Sequence, residues 1–134
     1  MVAPRVHTLR GNVFRRIFLV TFREEIIPVS SKDVAYFAVD EVSVVLGTTQ
    51  GKKFRIHESL QHVEESVDPA RFFRANRQYL IAYDAVRRIE QLPSRKLLVE
   101  LSIGDITKIP VSRARANDFL KWMEVGTCED SFRL

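Results

Sequence analysis

From residue 16 onward, short apolar runs alternate with polar punctuation, and the period of the runs is mostly that of strands. Ile17-Phe18-Leu19-Val20-Thr21-Phe22 is β-branched and aromatic, and Arg23-Glu24-Glu25 turns it into Ile26-Ile27-Pro28-Val29. Pro28 has no amide to donate, which predicts an edge strand or a short one. After a turn at Ser30-Ser31-Lys32-Asp33, strands are predicted over 34–39 and 42–48, separated by Asp40-Glu41. Thr49-Gln50-Gly51 then makes a hairpin into a strand over 52–56, with Gly51 free to take positive φ.

The period changes at about Glu58. Leu60, Val63 and Val67 fall at i, i+3 and i+7, which predicts a short helix over 58–66 with those residues on one face. Val67-Asp68-Pro69-Ala70 stops it, since the residue before a proline resists the α region. Apolar runs over 72–75 and 79–82 flank the polar triplet Asn76-Arg77-Gln78, and further strands follow over 86–92, 96–101 and 106–111. Turns at Pro93-Ser94-Arg95 and Ile103-Gly104-Asp105 separate these last three. The last element is a helix over 112–124, with Ser112 as N-cap and Ala116, Phe119, Leu120 and Met123 as its apolar stripe.

The pattern therefore predicts one mainly β domain of about ten short antiparallel strands, with a short mid-chain helix and a C-terminal helix. It spans residues 16–125, after a linker at 1–15 and before a tail at 126–134. A chain of 134 residues is long enough to bury a core of its own. Several strands separate the two helices, so a helix-turn-helix has no place here. No run approaches the length of a membrane span, and the N-terminus has no apolar secretory region. The single Cys128 cannot form an internal disulfide and reads as a bystander thiol in a reducing, cytoplasmic compartment.

Charge sharpens the picture. Residues 1–68 hold nine basic and nine acidic side chains, whereas between Arg71 and Lys121 eleven basic residues, mostly arginine, face five acids. Arginine suits bidentate contact with phosphate and guanine edges. Within this basic half two places stand out. Arg113 and Arg115 occupy the first and third positions after Ser112, where the helix dipole disfavours cations by ~0.3–1 kcal/mol each. Cations beside unpaired amides at a helix start make an anion site. The plainer alternative pairs Arg115 with Asp118 and leaves Arg113 solvated. Asn76-Arg77-Gln78 has the side chains that read adenine and guanine edges, held between two buried runs; the alternative is an ordinary polar turn.

Catalytic arrangements are missing from the sequence. There is no G-x-S-x-G, Walker loop, H-E-x-x-H or C-x-x-C, and the five glycines lie singly, so no glycine-rich phosphate cradle exists. His57 and His62 lack partners at metal-ligand spacing and read as solvent-exposed. No enzyme, cofactor or metal is expected.

At its two arginine-bearing segments the chain resembles the LytTR family of bacterial DNA-binding domains. The segments are Phe73-Arg74-Ala75-Asn76-Arg77-Gln78-Tyr79-Leu80-Ile81-Ala82-Tyr83 and Ile109-Pro110-Val111-Ser112-Arg113. The resemblance implies a compact fold of about ten strands whose loops enter successive major grooves of a direct-repeat DNA site. It also implies an output domain joined to the receiver of a two-component response regulator, and it allows a dimer on DNA. By position Asn76, Arg77 and Arg113 match the family's DNA-contacting places. The chain departs from the family pattern at Asn76, where a His is usual, at Gln78 for Ser, and at Ala82-Tyr83 for Val-Asn. It is also apolar around Val42-Ser43-Val44-Val45, where the family often presents a polar groove contact that Asp40, Glu41 or Ser43 would replace.

The expectation is sequence-specific binding of duplex DNA, with Arg77 and Arg113 at bases or in the groove and Asn76 and Gln78 assisting readout. Arg74, Arg115, Lys52 and Lys53 are the expected phosphate contacts. A protein-interaction module that turns the same basic face to an acidic partner is the main alternative. A single-strand or RNA binder would need aromatics alternating along an exposed strand face, whereas Phe72, Phe73, Tyr79 and Tyr83 are spaced like core.

Overall fold

The computed structural model describes residues 13–41, 43–103 and 108–126. Expectations for Val42, for the 104–107 turn, for residues 1–12 of the linker and for residues 127–134 of the tail, Cys128 included, lie outside the described residues. The elements follow the predicted order. They are β1 (Ile17–Phe22), β2 (Glu25–Ser30), β3 (Val34–Val39), β4 (Val44–Thr48), β5 (Lys53–Ile56), α1 (Leu60–Ser66), β6 (Phe72–Arg74), β7 (Tyr79–Ala82), β8 (Val86–Gln91), β9 (Leu97–Leu101), β10 (Lys108–Val111) and α2 (Arg113–Val125).

The strands form three antiparallel sheets: a β1-β2 ribbon, a five-stranded sheet in the order β5-β4-β3-β7-β6, and a three-stranded sheet in the order β10-β9-β8. Pro28, opposite Leu19 in the ribbon, sits where a missing amide costs least, because both strands of a two-stranded sheet are edges. The register of the five-stranded sheet sorts its side chains into two faces. Phe37, Leu46 and Leu80 are mutual partners on one face, and Tyr36, Ile81 and Phe73 are partners on the other.

The first face packs on the ribbon and α1. Phe18 meets Phe37 with ring centroids 5.1 Å apart, Phe37 meets Phe72 at 6.0 Å, and Leu60 and Val63 of α1 are buried. The second face takes α2, with Phe73 5.3 Å from Phe119 and 5.2 Å from Trp122. Completely buried aromatics such as Phe18, Phe37 and Phe119 contribute about 1.5–3 kcal/mol each by leaving water.

Local chemistry explains the ends of the elements. Ser59 caps α1 through its hydroxyl, which accepts the His62 amide at 3.0 Å, so this helix begins two residues later than the apolar spacing suggested. Arg15 closes the N-terminal side by donating both terminal nitrogens to Glu58, each at 2.7 Å. That guanidinium holds the Glu58 carboxyl below its ordinary value, against an opposing push from burial. Gly51 turns the β4–β5 hairpin at φ 92°. Gly47 is required for space, since a Cβ there would meet the Tyr36 ring at 2.3 Å. The β8–β9 hairpin is strained: Ser94 (φ 68°) and Arg95 (φ 66°) are both left-handed without being glycine, at about 1 kcal/mol each.

Two expectations for α2 need correction. Ser112 precedes the helix in extended conformation, yet its hydroxyl makes no capping bond; the Arg115 amide instead closes on the Ser112 carbonyl at 3.0 Å. The apolar stripe is also rotated. Leu120 is 39% exposed, and Trp122 takes its place in the packing. The reason is Phe73, whose ring receives the indole while the indole N–H donates to the Pro69 carbonyl at 2.9 Å.

Candidate nucleic-acid interface

The turn between β6 and β7 is held from both ends. Phe72, Ala75 and Leu80 are buried, and the Ala75 amide donates to the Tyr79 carbonyl at 2.9 Å. Arg74 then clamps the turn from beneath. Its Nε donates to the Asn76 carbonyl, one terminal nitrogen to the Arg77 carbonyl and the other to Glu64 Oε1, all at 2.8 Å. A guanidinium committed in three directions is a structural brace, and a phosphate at Arg74 would have to share it with these bonds.

Asn76 is similarly engaged. Its Oδ1 accepts from the amides of Gln78 at 2.7 Å and Tyr79 at 3.0 Å, while its Nδ2 donates to the Pro110 carbonyl at 2.6 Å. Bidentate contact with adenine uses both of those side-chain atoms. In this arrangement they are already occupied, so Asn76 ties the turn to the strand that leads into α2. The exposed side chains of Arg77 and Gln78 have no hydrogen-bond or ionic partner among the described residues.

The Asn76–Pro110 bond is also what brings the two arginine segments together, across 34 residues of chain. One residue past Val111, Ser112 leads into Arg113, which is exposed and unpaired among the described residues. Arg115 does not pair with Asp118. Its guanidinium lies over the Phe73 ring, 4.8 Å from the centroid, and its Nε is buried without a hydrogen-bond partner. The first turn of α2 contains no acid. Two cations, first-turn amides and a Ser112 hydroxyl that makes no capping bond therefore meet at one helix start, with the dipole adding to the positive potential.

Strand direction places the other candidates. The Val39 amide donates to the Gln78 carbonyl at 2.8 Å, so the β3–β4 turn stands beside the β6–β7 turn at one end of the sheet. There Arg55 bridges Asp40 Oδ2 at 3.0 Å and the Ser43 hydroxyl at 2.6 Å. Ser43 thus positions a cation instead of standing free. Arg55 was not anticipated from the sequence, although its alternation with Lys53 along β5 was the available signal. Lys52 lies on the β4–β5 hairpin at the opposite end of the sheet, and Lys53, which pairs with Gly47, opens β5 two positions before Arg55. Register sets Lys52 furthest back from Arg77 and Arg113, with Lys53 between.

Phe72 is buried, and Phe73, Tyr79 and Tyr83 are half-buried in aromatic packing. These rings belong to the core, as their spacing predicted, and do not form a stacking platform.

What the fold and this end define is a mainly β domain that gathers loop-borne arginines beside a helix start. The LytTr DNA-binding domain family matches residues 24–124, and the chain belongs to that family. In fold it is similar to a solved structure described as the LytTr DNA-binding domain of a methyl-accepting/DNA response regulator from Bacillus cereus. The two are 19% identical with a TM-score of 0.71, over 81% of this chain and 97% of the other. A comparison with curated proteins gives no match.

Proposed function

We propose that this domain binds duplex DNA sequence-specifically, as the output half of a transcriptional regulator in the cytoplasm. The observation that carries the reading is that Arg77 and Arg113, both exposed and without a partner among the described residues, stand together at one braced end, while several cations in the body of the fold are matched with acids. Arg71 pairs with Asp84 at 2.9 Å, Arg88 with Glu100 at 3.1 Å and Lys108 with Glu90 at 3.8 Å. Cations left free on a rigid platform await an external anion. Arg77 and Arg113 are assigned to base edges, Gln78 to an adjacent base, and Arg115 to the positive potential at the helix start.

The domain is read as a binding module and not an enzyme, because carboxylates such as Glu58, Glu64 and Glu100 are spent on arginines. No helix among the described residues is long and apolar enough to cross a membrane. Attachment to a receiver domain, direct-repeat sites and pairing of two copies on DNA are inferred from the family, and the description of the Bacillus cereus neighbour supports the first.

Titration of the protein against duplexes recovered by selection from a random pool tests the proposal. Log affinity should fall linearly with log salt, by about 0.9 for each phosphate contacted. Arg113→Ala or Arg77→Ala should cost about 1–3 kcal/mol at the preferred site and relax preference at one position. Salt-independent binding would count against phosphate contacts, and equal affinity for an acidic protein of the same charge would favour the interaction-module alternative.

A further inference from the structure

The β8–β9 hairpin contains the basic pair Arg95-Lys96, to which neither the family match nor the sequence motifs assign a role. Its position follows from register. Val111 pairs with Leu97 as the last step of the β9–β10 ladder, so Ser112 and Lys96 are the next positions along the two strands. The hairpin accordingly flanks the start of α2, on the side away from the β6–β7 turn that Asn76 ties to Pro110.

Charge along the three-stranded sheet is graded. In its body, Arg87 and Arg88 share the buried Glu100, and Lys108 faces Glu90. At the tip, Arg95 and Lys96 are exposed and have no side-chain partner among the described residues. Asp118, on the second turn of α2, is exposed and pairs with neither. The backbone adds a second, independent observation. A tight hairpin with two successive left-handed residues is normally built from Asn or Gly. Here Ser94 and Arg95 take those conformations at φ 68° and 66°, and the Leu92 amide locks the turn by donating to the Lys96 carbonyl at 2.8 Å. A cation stands where the turn would be more stable with glycine.

Resting on the DNA-binding reading, we infer that the Arg95-Lys96 hairpin is a further DNA contact, gripping phosphates on the flank of the segment read by Arg113. Its role is positioning. An exposed tip with no base-reading amide or carboxylate contacts the backbone and fixes register without adding sequence preference.

The experiment compares wild type with Arg95→Gln/Lys96→Gln on two duplexes, one recovered by selection and one of mixed sequence. Affinities are measured between about 50 and 200 mM salt. The expected result is a salt dependence shallower by about 1.8, two contacts at ~0.9 each, with the ratio of the two affinities unchanged. Arg113→Ala, run alongside, should instead lower that ratio. A double variant with the wild-type slope overturns the hairpin assignment while leaving DNA binding in place. A fall in the affinity ratio also overturns it, since the pair would then be reading bases. Failure of wild type to bind either duplex removes the underlying reading and this one with it. Ser94→Gly guards against a folding artefact: it should raise the melting temperature, relieving the turn, and keep the full slope.

Discussion

Arg74 and Asn76 show how far apart the chemistry a residue type allows and the work it does can be. Either side chain could read DNA, yet both are consumed in holding the turn that presents Arg77 and Gln78. Removing Arg74 leaves two carbonyls and Glu64 without their charged donor, and each such bond to a charged group is worth about 1.5–3 kcal/mol. Arg74→Ala should therefore lower both melting temperature and DNA affinity. Arg74→Lys, which keeps the charge but cannot fork, should restore little of either; if lysine rescued binding fully, the charge and not the brace would be the working part. Glu58 offers a prediction in pH. Its folded value is depressed by Arg15, with His62 at 3.7 Å a lesser contributor, so its stabilisation is present above the ordinary value of about 4.5 and is lost as pH falls through the lower folded value. The melting temperature of Arg15→Ala should lie below wild type at pH 7, and thermal melts in increasingly acid buffer should show the two converging.

At the scale of elements, much was legible in the sequence because alternation and turn chemistry are local. The strands at 17–22, 34–39 and 79–82 were read to the residue, and the positive φ of Gly51 follows from its place in a two-strand turn. What escaped was decided by neighbours distant in sequence. Nothing within α2 distinguishes Leu120 from Trp122 as the packing residue; Phe73, forty-odd positions earlier, does. The engagement of Asn76 is hidden for the same reason, since its partner is the carbonyl of Pro110. Gly47 is a sharper case. Within β4 it reads as a weak point, but the Tyr36 ring of β3 lies where its Cβ would be. Gly47→Ala must displace a buried ring, and overpacking of this kind costs about 1–3 kcal/mol. A drop in denaturation midpoint with an unchanged slope would record it, whereas a neutral alanine would mean that the ring swings aside freely.

For the whole molecule, what matters is that the sheets have two ends and the chain uses them differently. In the order β5-β4-β3-β7-β6, the β3–β4 turn, the β6–β7 turn and the start of α2 share one end, and the β4–β5 hairpin with Lys52 occupies the other, Lys53 being the first residue of β5. Composition counts these lysines with the remaining cations, which is why the sequence suggested phosphate contacts for them. Their distance from the other cations argues for a smaller part. The five residues of β4 span about 3.3 Å each, so roughly 16 Å separates the two ends. Lys53, opposite Gly47, stands about 10 Å from the near end, just beyond the screening length of ~8 Å at physiological salt, and Lys52 lies one residue further off. Lys52→Ala/Lys53→Ala should thus change affinity for a selected duplex by less than about twofold and leave its salt dependence intact, where Arg113→Ala costs roughly five-fold or more. A loss of similar size from the lysine pair, measured in the same titration, would mean that DNA bends around the five-stranded sheet to reach the far hairpin. The interface would then be a wrapped surface and not one end of the fold.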